Sequence, residues 1–121
     1  MRKYATVIVE GDSMEPTYSS GDWLMAKWSG FGLRYSTPKI REAIGAFLGR
    51  RLSIGEVAVI ERPEYPGIYF VKRLSEIRED THQIFVLSDN PDGNDSRQWG
   101  WLPASSIQAK VVSRVRKAKK K

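Results

Sequence analysis

Short apolar runs separated by turn-forming residues constrain the fold of this chain more than any other feature. The runs have the length of β-strands and are rich in β-branched and aromatic residues. Gly, Pro, Asn and Asp, the residues that form turns, stand between them. The runs lie at residues 4–9, 23–28, 57–60, 68–74, 83–87 and 107–115. The pattern predicts a mostly β fold, a barrel or a sandwich, and the length of 121 residues suits one domain.

One segment departs from this pattern. Within residues 38–48 the apolar residues recur at helical spacing, with Pro38 at the first helical position and Gly49 after the last one. The apolar residues are Ile40, Ala43, Ile44, Phe47 and Leu48. The sequence therefore predicts a short amphipathic helix inside an insertion at residues 29–52. This helix could pack on the sheet, rest on a membrane surface or cover a substrate groove.

The composition excludes several kinds of site. Cysteine is absent, so the chain has no disulfide, no thiolate metal site and no cysteine nucleophile. His82 is the one histidine, which excludes a histidine-rich metal site and leaves one candidate base for a Ser-His-Asp arrangement. We expect neither a metal nor another cofactor.

The charge is concentrated at the end of the chain. The net charge is +6, and residues 114–121 carry six basic residues and no acidic one. This basic tail is either a solvated, frayed end or a segment attracted to anionic lipid or nucleic acid. No apolar run approaches the ~20 residues that span a bilayer, and residues 1–3 precede no long apolar segment of a signal peptide. We therefore expect a soluble, cytoplasmic protein, with weak membrane-surface contact through the tail and the 38–48 helix.

A candidate nucleophile follows the first apolar run, in residues 11–17 (GDSMEPT). The Gly-Asp pair predicts a turn after the strand, and Pro16 prevents a helix from running through. Ser13 is therefore expected at a corner, with the apolar Met14 pointing inward. Serine is a common turn residue, so Ser13 is either a structural residue or a nucleophile held in a fixed position.

Lys72 is the best candidate base for Ser13. In a strand, Phe70, Lys72 and Leu74 share one face, which places the amine among apolar neighbours. Desolvation there lowers the pKa of a lysine, and a neutral lysine can take the proton of a serine. The alternative is that the Lys72 side chain extends its amine into water.

Several segments together resemble the signal peptidase I family. Residues 11–17, with Gly21 and Asp22, resemble its nucleophile box, and residues 69–74 (YFVKRL) resemble its lysine box. Residues 55–57 take the place of a further Gly-Asp-Val segment. Asp89-Asn90, followed by residues 95–100 (DSRQWG), resembles the last box, Gly-Asp-Asn…Ser-x-Asp-Ser-Arg-x-x-Gly. The self-cleaving domains of the SOS-repressor type share the Ser-Lys dyad and part of the first box, but lack the Asp-Ser-Arg box.

The resemblance implies a single-domain β-barrel of the signal-peptidase/SOS-repressor type with one short inserted helix, at residues 1–113, followed by the tail. It implies a serine endopeptidase with Ser13 as nucleophile, Lys72 as general base and the Ser13 N–H as an oxyanion donor. Its substrate would be a protein or peptide with an N-terminal extension or leader. A small member of this kind is similar to the proteases that mature nickel-type superoxide dismutase. The supporting residues implied are Gly11, Asp12, Met14, Asn90, Gly93, Asp95, Ser96 and Arg97.

Two glycines depart from the family's pattern. Gly11 stands where some members have a serine that adds an oxyanion donor. Gly93 stands where the family often has a serine hydrogen-bonded to the lysine, and Asn94 or Ser88 are the candidates to replace it. From this comparison we expect Gly93→Ser to be harmless or to improve the enzyme, unless Gly93 adopts a positive φ that serine tolerates poorly.

Two other classes of function stay open. The same fold could be a catalytically silent binding module. A basic β-barrel could also bind nucleic acid, with tryptophans as stacking platforms, although we expect no nucleic-acid partner because tryptophans in a small chain are more often core. The candidate platforms are Trp23, Trp28, Trp99 and Trp101.

Overall fold

The structure is a computed structural model that describes residues 4–28 and 52–118. In these residues, seven antiparallel strands form one sheet that curves into a half-barrel. The strands are β1 (Tyr4–Ile8), β2 (Trp23–Trp28), β3 (Val57–Glu61), β4 (Tyr69–Arg78), β5 (Gln83–Leu87), β6 (Leu102–Pro103) and β7 (Ile107–Arg116). A four-residue helix, α1 (Ser96–Trp99), precedes β6, and a 3-10 helix, Ala104–Ser106, follows it. The prediction of a mostly β fold is confirmed.

The order of the strands differs from their order in the chain. The described strands run β1-β2-β7-β3-β4-β5-β6 in the sheet, so β1 and β6 are the outermost of them. The last strand, β7, pairs with β2 on one side and with β3 on the other. It therefore joins the β1–β2 hairpin to the β3–β6 part of the sheet. β3 and β4 form a hairpin, with the turn at residues 63–67 between them.

Two apolar clusters lie on either side of β3. All four residues of the run Val57–Ile60 are buried, which is typical of a strand covered on both faces. Alternate residues point to opposite faces. Val57 and Val59 therefore join a cluster with Leu24, Ala26, Ala109, Val111, Val9 and Met14, which we call the β2–β7 cluster. Ala58 and Ile60 join Leu74, Ile84, Val86, Leu102, Ala104, Ile107 and Leu52 in the β4–β5 cluster.

Several elements differ from the sequence-based expectation. Strand β4 continues to Arg78, because an irregularity in register between Leu74 and Glu76 lets it keep pairing with β5. Strand β7 reaches Arg116, so the first residues of the basic tail belong to the sheet rather than to a frayed end. Helix α1 was not predicted, since four residues are too few to show a helical period.

Other expectations fall on residues that the structure does not describe. The 38–48 helix and the 29–52 insertion lie outside the described residues, apart from Leu52, and so do residues 119–121 of the tail. Within the described segments 4–28 and 52–118, no helix has the length and apolar character needed to cross a membrane.

Candidate active site

The corner that carries Ser13 lies in the loop between β1 and β2. The loop is closed at its base by two backbone hydrogen bonds, from Val9 N to Asp22 O at 2.9 Å and from Gly21 N to Val9 O at 2.7 Å. Met14 is 1% exposed and packs in the β2–β7 cluster, as predicted. Ser13 itself is half-buried. The buried Met14 next to it therefore fixes the corner from below.

The other residues of this box serve the backbone of the corner. Gly11 has a φ of +79°, and a Cβ there would meet nothing within 4 Å, so the turn and not the available space requires glycine. Asp12 is exposed, and its carbonyl accepts a hydrogen bond from Asn90 Nδ2 at 3.0 Å. The backbone N–H of Asn90 donates to Ser13 O at 2.8 Å. Asn90 thus holds the Ser13 corner against the loop that follows β5.

Asp22 ties the same corner to the end of β7. Its carboxylate is 2% exposed and accepts from the backbone N–H of Ser19 at 2.9 Å and of Ala118 at 2.7 Å. Arg114 Nη1 reaches both Asp22 Oδ2 at 3.4 Å and Thr17 O at 3.2 Å. Burial raises the pKa of Asp22, but these hydrogen bonds outweigh it and leave the pKa below its ordinary value. In the sequence, Asp22 is part of the Gly21-Asp22 pair that accompanies the nucleophile box.

Lys72 lies on β4 opposite Ala58 and is 3% exposed. Its Nζ donates to Ser88 Oγ at 3.0 Å and lies 5.7 Å from the ring centroid of Trp99. Within residues 4–28 and 52–118, no carboxylate forms an ion pair with it. Burial lowers the pKa of Lys72, and the charge of Asp95 offsets only part of this effect. The alternative in which the amine extends into water is wrong, because the side chain is buried.

The hydrogen bond to Ser88 resolves which residue contacts the lysine. Ser88 Oγ accepts from Lys72 and donates to the carbonyl of Asn94 at 3.1 Å. Of the two candidates considered from the sequence, Ser88 contacts the amine directly, and Asn94 acts through its backbone on Ser88.

Asp95 is the centre of the loop between β5 and β6. It is fully buried and accepts from the backbone N–H of Ser88 at 2.7 Å and of Arg97 at 2.9 Å. Its carboxylate also pairs with the Arg97 guanidinium, at 2.9 Å from Nε to Oδ1 and 3.0 Å from Nη2 to Oδ2. A reciprocal capping box with Gln98 starts α1 at this residue. Asp95 is therefore an internal scaffold beside the lysine strand and not one half of a surface ion pair.

Two neighbours complete this scaffold. Ser96 is buried, and its Oγ accepts from Val86 N on β5 at 2.9 Å. Arg97 Nη2 also donates to Pro91 O at 3.0 Å and to Gly93 O at 3.1 Å. The loop is thus held to β5 by Ser96 and closed on itself by Arg97.

Sequence reasoning missed the pairing of Arg73 with Asp89. Arg73 Nε and Nη2 contact the two oxygens of Asp89 at 2.8 and 2.7 Å, and Nη1 donates to Gly55 O at 2.6 Å. Lys72–Ser88 and Arg73–Asp89 therefore form adjacent links between β4 and the start of the same loop. In the sequence, the Lys72-Arg73 and Ser88-Asp89 dipeptides contain all four residues, but only the register of β4 with β5 shows that they pair.

Gly93 contradicts the expectation that a serine would be tolerated there. A Cβ at this position would lie 2.5 Å from Ser88 Oγ, 2.7 Å from Ser88 Cβ and 3.1 Å from Ser13 Cβ. Contacts below 3 Å force a neighbour to move. Gly93 is not among the glycines with positive φ, so close packing and not backbone conformation requires it.

A groove of about 460 Å³ runs between β1 and β4. Both Ser13 and Lys72 line it, without a hydrogen bond between them. Most of its other lining residues are apolar and come from β1 and the loop after it, from β3, and from β4 and the loop before it; they include Val7, Val9, Met14, Val59, Ile68 and Val71. Glu10 adds one carboxylate. The groove can therefore accept an extended chain beside both candidate groups.

The single histidine and the tryptophans lie apart from this arrangement. His82 is exposed in the turn between β4 and β5 and does not line the groove. Trp99 packs on Phe70, Trp101 on Phe85 and Trp28 on Tyr69, with centroids 5.1 to 5.3 Å apart. Three of the four tryptophans thus contact aromatic neighbours of their own chain. In the described part of the chain, no group of three or more His, Asp or Glu is arranged to hold a metal ion.

Comparisons with known proteins add no family to this description. No protein-family model matches the chain, and no curated protein matches its sequence. The function must therefore be inferred from the residues and geometry of the groove.

Proposed function

We propose that this protein is a serine endopeptidase of the signal peptidase I type, in which Ser13 is the nucleophile and Lys72 the general base. The observation that carries the proposal is a buried lysine that has no carboxylate partner among residues 4–28 and 52–118, on the wall of the groove that Ser13 also lines. Burial of this amine, which the charge of Asp95 offsets only in part, favours its neutral form, and only the neutral form can accept a proton.

The reaction assigns one step to each group. Lys72 Nζ takes the hydroxyl proton as Ser13 Oγ adds to the scissile carbonyl carbon. The proton then passes to the leaving amine, and water hydrolyses the acyl-serine with Lys72 again as base. Catalytic hydrogen bonds often tighten only when substrate binds, so the lack of a direct Ser13–Lys72 hydrogen bond is compatible with this role.

The backbone N–H of Ser13 is the proposed oxyanion donor. Within the described residues, this N–H donates to no acceptor. A donor that is held in place by the surrounding corner stabilises the developing oxyanion without having to reorganise. Met14 and Asn90 supply that support from two sides of Ser13.

The open edge of β1 favours an extended peptide as substrate. Among the described strands, β1 pairs with β2 alone, and residues Val7 to Val9 line the groove. An edge strand can pair with an extended chain through backbone hydrogen bonds. The resemblance of the boxes adds the finer part of the proposal: a single-domain fold of the signal-peptidase/SOS-repressor type and, as substrate, the N-terminal extension or leader of another protein.

Labelling with a serine-directed fluorophosphonate tests this proposal. We expect one phosphonyl group per chain, located on Ser13 by mass spectrometry of the peptide that contains it. Ser20→Ala is the matched control, because Ser20 is an exposed serine of the same loop, and it should keep full labelling. Binding of peptides to an unlabelled protein would instead identify a silent binding module and refute the peptidase.

The pH dependence of labelling provides a second prediction. The rate should rise with pH as Lys72 loses its proton, and burial should move this rise below the ordinary lysine value of 10.5. The measurement is the labelling rate across neutral and alkaline pH, for the wild type and for His82→Ala. The two profiles should coincide, and a profile that depends on His82 would show that the base is wrongly assigned.

A further inference from the structure

One position beside the Lys72 amine decides how that amine is held. The Ser88 hydroxyl occupies it, 3.0 Å from Lys72 Nζ. A Cβ on residue 93 would lie only 2.5 Å from that hydroxyl oxygen. Positions 88 and 93 therefore cannot both carry a side chain of serine size there without a shift, and in this chain residue 88 supplies it.

The hydrogen bonds of Ser88 fix how it meets the amine. The Ser88 hydroxyl donates its proton to Asn94 O at 3.1 Å, so toward Lys72 it acts as an acceptor. A neutral amine has two N–H groups and one lone pair. Since one N–H is directed to Ser88, the lone pair must point away from Ser88. It can point into the groove that Ser13 also lines.

Ser88 is itself held firmly. Its backbone N–H donates to the fully buried Asp95 at 2.7 Å, and the next residue, Asp89, is paired with Arg73 on both oxygens. Because the backbone around Ser88 is held in this way, its hydroxyl has a fixed position. It can therefore restrict the conformations of the flexible Lys72 side chain.

We propose that Ser88 is the positioning residue that aims the Lys72 amine at Ser13, and that Gly93 is required because only glycine leaves this hydroxyl its place. This inference rests on the proposed Ser-Lys function. It also explains why Gly93 lies close to Ser13, where a Cβ on residue 93 would be 3.1 Å from Ser13 Cβ. Gly93, Ser88 and Ser13 all adjoin the proposed reaction centre.

An exchange of the two residues tests the proposal. Ser88→Gly should lower the rate of Ser13 labelling roughly 100-fold, since misplacing a catalytic group by about 1 Å has an effect of that size. Gly93→Ser should lower both the rate and the melting temperature. The double exchange should label at least tenfold faster than Ser88→Gly, because a hydroxyl on residue 93 can reach almost the same place. A double variant no faster than Ser88→Gly would overturn the proposal.

Ser88→Ala separates positioning from mere support. It keeps the Cβ and removes only the hydroxyl, so the melting temperature should change little. Loss of the acceptor disfavours the charged amine, so the titration of Lys72, followed by NMR at its Cε, should shift to lower pH while the maximal labelling rate falls. A Ser88→Ala protein with wild-type rate and titration would refute the positioning role alone. A wild-type protein that is never labelled would refute the proposed peptidase itself.

Discussion

Lys72→Met is expected to abolish labelling and cleavage and, at the same time, to raise the melting temperature. Methionine has a similar length and fits an apolar site, whereas the lysine amine is buried with no carboxylate partner in the described residues. Removal of the proposed general base, which would act as a unit with the proposed nucleophile, should lower the rate by a factor on the order of 10⁴ or more. The stability gain should be roughly 1–2 kcal/mol, a range common for stabilising substitutions at functional sites.

The sign of the pH dependence sharpens this expectation. Burial lowers the pKa of Lys72 in the folded protein, so between that pKa and 10.5 the unfolded chain binds more protons. The wild type therefore loses stability as the pH falls through this window, and Lys72→Met does not. The gain in melting temperature should be larger at neutral than at strongly alkaline pH. Thermal unfolding at both, with Lys27→Met as a half-buried control, is the measurement, and a lower melting temperature for Lys72→Met would contradict the prediction.

Among the proposed variants, Asp95→Asn is expected to cause the largest loss of folding stability, and it should also reduce the rate of labelling. The carboxylate accepts from two backbone N–H groups and from two nitrogens of Arg97, and an amide cannot accept them all. We expect a loss of about 3 kcal/mol, moderated because the Arg97 side chain is 40% exposed. Labelling should fall because the backbone of Ser88 loses its acceptor.

The dependence of the free energy of unfolding on acidic pH tests the same site. Burial raises the pKa of Asp95, but the hydrogen bonds from Arg97 and from the Ser88 backbone outweigh it and lower the pKa below 3.8. This contribution to stability is present above the unfolded pKa and is lost as the pH falls through the folded value. Denaturant unfolding at neutral and acidic pH should show that Asp95→Asn loses less stability on acidification than the wild type does. Asp92→Asn, at an exposed position of the same loop, should behave like the wild type, and equal effects of both variants would refute this role of Asp95.

The sequence predicted those features that depend on local pattern. Alternation along β4 placed Lys72 on the apolar face, and the chemistry of residues 11–17 placed Ser13 at a corner with Met14 beneath it. These predictions held because strand period and turn preference act over a few residues.

The arrangement around the amine could not be read in the same way. Ser88 and Gly93 are both in one polar loop, and nothing in their order shows which of them faces Lys72. The path of that loop depends on contacts far apart in the chain, such as Asn90 with Ser13 and Arg73 with Asp89. The error about Gly93→Ser came from transferring a position without knowing which side chain fills the space.

The central place of β7 has a consequence for the timing of biosynthesis. Ser13 belongs to the β1–β2 hairpin and Lys72 to the β3–β6 part, and β7 is the strand between them. Its end also holds the Ser13 loop, through Arg114 and the backbone of Ala118. A nascent chain on the ribosome therefore carries both groups long before it can bring them to one groove. Only when residues 107–118 have emerged can the sheet close around them, so the groove that both candidate groups line stays incomplete until β7 has been synthesised.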